Sequence, residues 1–172
     1  MRLRTPLLAA ALLAAALPLA AQTQPQPAPG SAEMFAFLSG RWGCAGEFAS
    51  GRKLEADLAF TPQLDGKWLE FRHTDRAPGR YQAISHWGTD PATGTMVSLM
   101  FDIGGGVRLF TAAEGWKDRA VAFETAQLMA PPRGRERFTY RAESAATLRV
   151  TWEVNRDGAW RMGDWLLCTK QG

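Results

Sequence analysis

The feature that most constrains this chain is a regular succession of short strand-like runs and turn residues from Arg41 to the C-terminus, with no second helical segment among them. The runs fall near 41–49, 53–61, 67–74, 80–88, 95–102, 107–113, 119–128, 135–142, 147–154 and 159–169. Between them stand Ser50-Gly51, Asp65-Gly66, Pro78-Gly79, Asp90-Pro91, Gly104-Gly105-Gly106, Glu114-Gly115, Pro131-Pro132 and Asp157-Gly158. Glycine supplies positive φ, proline presets its own φ, and Asp caps the turn backbone. Ten such strands in series predict an antiparallel meander. A meander must leave two edges open or close on itself, and closure removes edges that invite aggregation. The expectation is therefore an all-β, ten-stranded up-and-down barrel. One short helix over 33–38 precedes it, with Ser31 as N-cap and Gly40 as its stop.

The first residues read differently. Arg2 and Arg4 precede an Ala- and Leu-rich apolar run, and Leu19-Ala20-Ala21 offers small residues before Gln22, the pattern of a secretory signal peptide over 1–21. Pro18 interrupts the run, which is short for a membrane span. Residues 22–32, rich in Pro and Gln, read as a flexible leader, and 33–172 as the barrel domain. A periplasmic or secreted location follows, with no membrane attachment once the signal peptide is removed. Loss of Arg2 and Arg4 takes Lys plus Arg from 20 to 18 against 17 acids, a side-chain charge near +1. Arg133, Arg135 and Arg137 are broken by Gly134 and Glu136, so no basic stripe of the kind nucleic acid requires is present.

Export sets how Cys44 and Cys168 are read, because an oxidising compartment favours a disulfide over thiols or metal. They lie on the first and last strands, so a bridge would staple the seam of a closed barrel. By the chain-entropy account such a bridge stabilises by about 4 kcal/mol.

Alternation then predicts an inner face. It takes Trp42, Cys44 and Phe48 from the first strand, and Leu69, Phe71 and His73 from the third. If the Pro78-Gly79 turn pairs Phe71 with Ile84, it also takes Gln82 and His86 and, carried onward, Val97, Leu99 and Phe101. Arg108, Phe110 and Ala112 follow, then Val121, Phe123 and Thr125, then Phe138, Tyr140, Leu148, Val150 and Trp152. The last strand adds Trp160, Met162, Asp164, Leu166 and Cys168. Polar groups on an inner face need a partner, a ligand or water. Trp68, Trp87 and Trp165 fall outward on the same pattern, where aromatics mark interfaces or pack against long side chains.

Several of these residues resemble a known family. Gly40-Arg41-Trp42 is similar to the Gly-x-Trp opening of lipocalin-like, or calycin, barrels, in which that tryptophan packs at the closed end beneath a helical turn. Leu64 to Leu69, the Trp87 to Gly94 hairpin, Phe101 to Gly105 and Asp157-Gly158-x-Trp160 resemble a group of secreted bacterial lipocalin-like domains without assigned activity. The resemblance spans about residues 35–169 and implies binding of a small hydrophobic molecule in the barrel mouth. A related haem-binding barrel, nitrobindin, uses a histidine near its C-terminus on iron. No histidine follows His86 here, so that site does not carry over, and no cofactor or metal is expected.

No Gly-x-Ser-x-Gly elbow, phosphate loop, His-Glu-x-x-His helix or Cys-x-x-Cys pair occurs, and no catalytic residue is assigned. The sequence thus points to an exported, non-enzymatic barrel that binds a small apolar or amphipathic ligand. Trp42, Phe71, Phe101, Phe110 and Trp152 would form apolar walls, and His73, His86 and Arg108 would orient a polar or anionic end. The alternative is an interaction module with a filled barrel, docking a partner or a second copy through its outward tryptophans.

Overall fold

Ten antiparallel strands pair in sequence order, and the last returns to the first, closing the barrel without an edge. The computed structural model describes residues 30–126 and 134–172; the expected signal peptide and most of the expected leader lie outside the described residues. The elements are α1 (Ser31–Leu38), β1 (Gly40–Phe48), β2 (Lys53–Gln63), β3 (Trp68–Asp75), β4 (Gln82–Thr89) and β5 (Met96–Asp102). After them come β6 (Val107–Ala112), β7 (Ala120–Thr125), β8 (Glu136–Ala142), β9 (Thr147–Arg156) and β10 (Ala159–Gln171). The helix starts two residues earlier than expected. Gly30, at φ 70°, holds the N-cap position, and Ser31 is buried rather than capping.

Cys44 pairs with Cys168 across β1 and β10 and the two form a disulfide, so the bridge lies on the seam. Among the described residues no helix is long and apolar enough to cross a membrane.

The α1 end of the barrel is closed. Met34, Phe35 and Leu38 pack down onto Trp42, whose indole N–H donates to the Leu38 carbonyl at 2.7 Å. Trp116, from the segment between β6 and β7, stacks near Phe37 and donates to Glu33, holding the helix as a lid over the strand ends. Lys170 Nζ adds a bond to the Phe37 carbonyl.

Two strands are inverted relative to the expected inner face. The loop after β3 closes across Asp75 and Tyr81, where the Asp75 N–H donates to the Tyr81 carbonyl, so Phe71 pairs with Ser85 rather than Ile84. That one-residue slip turns β4 over. Ala83, Ser85 and Trp87 point inward, while Gln82, Ile84 and His86 point outward. Through the β4–β5 pairs, Met96, Ser98 and Met100 also face inward, and Val97, Leu99 and Phe101 outward. The turn at 104–106 restores the expected parity, since Arg108, Phe110 and Ala112 lie inside. A further correction is in β10, where a bulge between Met162 and Asp164 leaves Trp160 and Met162 on the outer face. Gly163 makes that bulge feasible: a Cβ there would lie 2.3 Å from the Trp152 ring.

Candidate functional site

The interior divides into two layers of opposite chemistry. In the first, Phe60, Phe71, Trp87, Phe123 and Tyr140 meet in the middle of the barrel, all buried. Their ring centroids lie 4.7 Å apart for Trp87 and Tyr140, 4.8 Å for Phe60 and Phe71, and 4.9 Å for Trp87 and Phe123. Tilted and edge-on contacts of this kind fill space and add to the burial energy. The Trp87 indole N–H is satisfied by Ser85 Oγ at 2.7 Å, and burial pushes the Tyr140 phenol far above its ordinary range. This layer and the lid above it form a plug. Trp42 and Phe71 belong to it, and Phe110, against Phe138, lies at its lower edge.

Below the plug the wall becomes polar, at the end formed by the C-terminus of β3 and the N-termini of β4, β6, β8 and β10. Arg108 is the centre of one cluster. Its Nη2 donates to Asp102 Oδ2 at 2.7 Å and to the Tyr81 hydroxyl at 2.9 Å, and its Nη1 donates to Glu136 Oε2 at 2.9 Å. Asp102 is held in turn by the β5–β6 turn, where the Gly104 N–H donates to its Oδ1. Glu136 is fixed by its own backbone, which exchanges two bonds with Thr125 Oγ1. On the neighbouring wall His73 Nε2 lies 2.8 Å from Asp75 Oδ1. Among the described residues the Arg108 guanidinium and the His73 imidazole thus share this end of the barrel with the carboxyls of Asp75, Asp102, Glu136 and Asp164.

The Arg108 Nε and the Trp152 Nε1 are buried N–H donors without a hydrogen-bond partner among the described residues. An unmet buried donor of this kind costs roughly 1–3 kcal/mol. Asp164 stands directly opposite Trp152, on the same inward face of the β9–β10 pair, and no hydrogen bond to its carboxyl is found among the described residues. Burial pushes the Asp164 carboxyl up to about 6 from an ordinary 3.8, with His73 opposing the rise and Asp75 adding to it. A buried, unmet donor and a strongly desolvated carboxyl therefore stand opposite each other in the β9–β10 register, on one wall.

Of the residues the sequence put forward, the structure brings His73, Arg108 and Trp152 to the mouth. It places Trp42 and Phe71 in the plug, and Phe110 at the boundary. His86 and Phe101 are removed from the interior, because the β3–β4 register turns both outward. Tyr81, Asp75, Asp102 and Glu136 were missed, although Asp75 and Glu136 share the parity of His73 and Phe138. Trp87, expected on the outside, is at the centre of the plug with 1% of its surface exposed. The outer tryptophans are covered by neighbours. Trp68 lies against Gly88, Trp165 beneath the Arg149 guanidinium at 5.1 Å, and Trp160 beneath that of Arg137 at 4.4 Å.

Fold and site together define a closed ten-stranded antiparallel β-barrel with a solid half and a polar mouth. No protein-family model matches the chain, and no curated protein matches its sequence. Among solved structures it is similar to Rv2717c from M. tuberculosis, at 14% identity and a TM-score of 0.60, over 86% of this chain and 100% of that one. Two designed barrels give weaker likenesses. A fluorescence-activating β-barrel designed de novo is 12% identical with a TM-score of 0.44, over 79% of this chain and 95% of its own. The barrel mFAP2b, bound to DFHBI, is 10% identical with a TM-score of 0.44, over 82% and 99%. At these identities the likeness to Rv2717c concerns the fold alone.

Proposed function

We propose that the chain is an exported, non-enzymatic binding barrel of lipocalin-like type, whose ligand enters the polar mouth and stops at the aromatic plug. The ligand has an apolar body and a neutral head that both accepts and donates a hydrogen bond, such as an alcohol or a primary amide. The observation that carries this reading is the buried, unmet Trp152 Nε1 on β9, with the desolvated Asp164 carboxyl opposite it in register on β10. One hydroxyl or amide can accept from the indole and donate to the carboxylate. Phe138 and the Trp152 ring would flank the apolar body, with Met100 across the mouth.

An anionic head, which the sequence allowed alongside a polar one, fits less well. Arg108 is already neutralised by Asp102 and Glu136, and a further negative charge would meet Asp75 and Asp164 in a partly dehydrated space. The disulfide is compatible with an oxidising, exported location.

The test is a calorimetric titration of the purified protein with a medium-chain alcohol, the matching primary amide, the matching carboxylate and the matching quaternary ammonium. Saturable binding of the alcohol or amide, weakened in Trp152→Phe, is expected. Saturation by none of the four would remove the binding reading, and preference for the carboxylate or the ammonium would remove the assigned head group.

A further inference from the structure

Outside the barrel, β4, β5 and β6 differ from the strands around them. Cross-strand register sets Ile84 beside Phe101 and Phe101 beside Val107, and in the next row sets Leu99 beside Leu109, all with side chains outward. No outward position on these three strands carries Asp, Glu, Lys or Arg, and His86, opposite Glu70 at the β3 border, is their one titratable group. Phe101 is 42% exposed and Val107 47%; Ile103, at the hairpin tip, is 63% exposed. β10 also lacks outward charge beside its tryptophans, but Arg137 and Arg149 from its neighbours cover those rings. Among the described residues no guanidinium lies over β4 to β6 in that way, and the Trp68 ring covers only Gly88 at one end of the face.

We propose that this face is an interface between two copies of the chain. It is independent of what enters the mouth, because these side chains point away from it. A two-fold interface sets one patch against itself, so any fixed charge near its centre would meet its own sign. This centre has none. The flanks carry both signs, with Glu70 and Arg72 on β3 and Glu124 and Arg141 on β7 and β8, so opposite charges can meet at the rim. A membrane surface is the poorer occupant, since no cluster of Lys or Arg borders the apolar rows to engage anionic lipid.

Size sets the strength. Three strands about 4.8 Å apart, over seven residues at about 3.3 Å each, present a flat footprint of roughly 300 Å². A stable complex buries roughly 800 Å² per partner, so the flanking strands must also make contact, and association is reversible.

Sedimentation equilibrium of the whole protein at micromolar and near-millimolar concentration tests this. The wild type is expected to shift from monomer toward dimer as concentration rises. Phe101→Glu should remain monomeric throughout with an unchanged circular dichroism spectrum. Ile103→Lys, at the exposed hairpin tip where folding is not at stake, should weaken the dimer several-fold. A wild type that stays monomeric over the whole range would overturn the proposal, as would a dimer indifferent to both variants. Recruitment of the monomer to vesicles of phosphatidylcholine and phosphatidylglycerol, lost in Phe101→Glu, would also overturn it and give the face to a membrane.

Discussion

The two halves of the barrel interior are built from the same alternating strands, yet one is finished and the other is not. In the plug, the rings of Phe60, Phe71, Trp87, Phe123 and Tyr140 are all buried, and the indole N–H groups of Trp42 and Trp87 each have an acceptor. In the mouth, a buried guanidinium N–H and a buried indole N–H have none among the described residues, and a half-enclosed carboxyl is held above its ordinary range. Buried polar groups are nearly always satisfied in folded proteins. Where they are not, a bound partner is the economical explanation, and the contrast within a single molecule separates such a site from general looseness of packing. In the proposed reading the plug carries the stability and the mouth the recognition.

That contrast is easiest to break by removing one large side chain from each half. Trp87→Ala should cost about 3–5 kcal/mol in urea denaturation, because a fully packed ring leaves a cavity its neighbours cannot close. Trp152→Ala should cost less than half as much. Equal losses would mean that the two halves share one packing regime.

Next in size is Arg108→Met, which strands Asp102 and Glu136 and is expected to destabilise by about 3 kcal/mol. Adding Asp102→Asn and Glu136→Gln should restore most of that loss. If the triple variant is no more stable than the single one, Arg108, Asp102 and Glu136 do not act as one ion cluster.

Asp164 offers a pH test with the opposite sign. Its carboxyl binds a proton more tightly in the folded than in the unfolded chain, so between pH 3.8 and about 6 the folded state holds more protons and stability falls as pH rises. Above that window the folded protein carries the full cost of a largely desolvated anion, up to about 3 kcal/mol for a shift of this size. Asp164→Asn should therefore raise the melting temperature at pH 8 and leave it unchanged near pH 4. A variant less stable than wild type at pH 8 would show that the carboxylate has a partner after all.

The smallest effect belongs to the outer wall. Arg149→Ala, which breaks the pair with Glu143 and uncovers Trp165, should cost no more than about 1 kcal/mol, with part of the loss disappearing at high salt.

Much of this was legible in the sequence, and the failures have a common cause. Turn chemistry located all ten strands, and Cys44 with Cys168 on the first and last of them anticipated closure and its bridge. Alternation placed Leu69, Phe71, His73 and Arg108 correctly, because the strands around them alternate cleanly with polar or charged residues. It could not place β5, Met96–Asp102, where Met, Val, Leu, Met and Phe stand almost without interruption and both faces read as interior. There the loop after β3 decided the register, and its closure across Asp75 and Tyr81 depends on backbone geometry that residue types do not report. The same ambiguity in β5 is what leaves Leu99 and Phe101 on the outer face. In β10, Gly163 was a readable signal, since glycine inside a strand often marks a bulge. The mouth was half visible: His73, Arg108 and Asp164 could be named from parity, but that Asp102 and Glu136 quench Arg108 is a property of the closed barrel.

The most direct test follows the tryptophan indole N–H signals by nitrogen-15 NMR while a medium-chain alcohol or primary amide is added, with Trp152 assigned from the signal lost in Trp152→Phe. A saturable shift of the Trp152 signal is expected, while those of Trp42 and Trp87 in the plug stay where they are. An equal response from Trp42 or Trp87, or none from Trp152 with either probe, would contradict binding in the mouth.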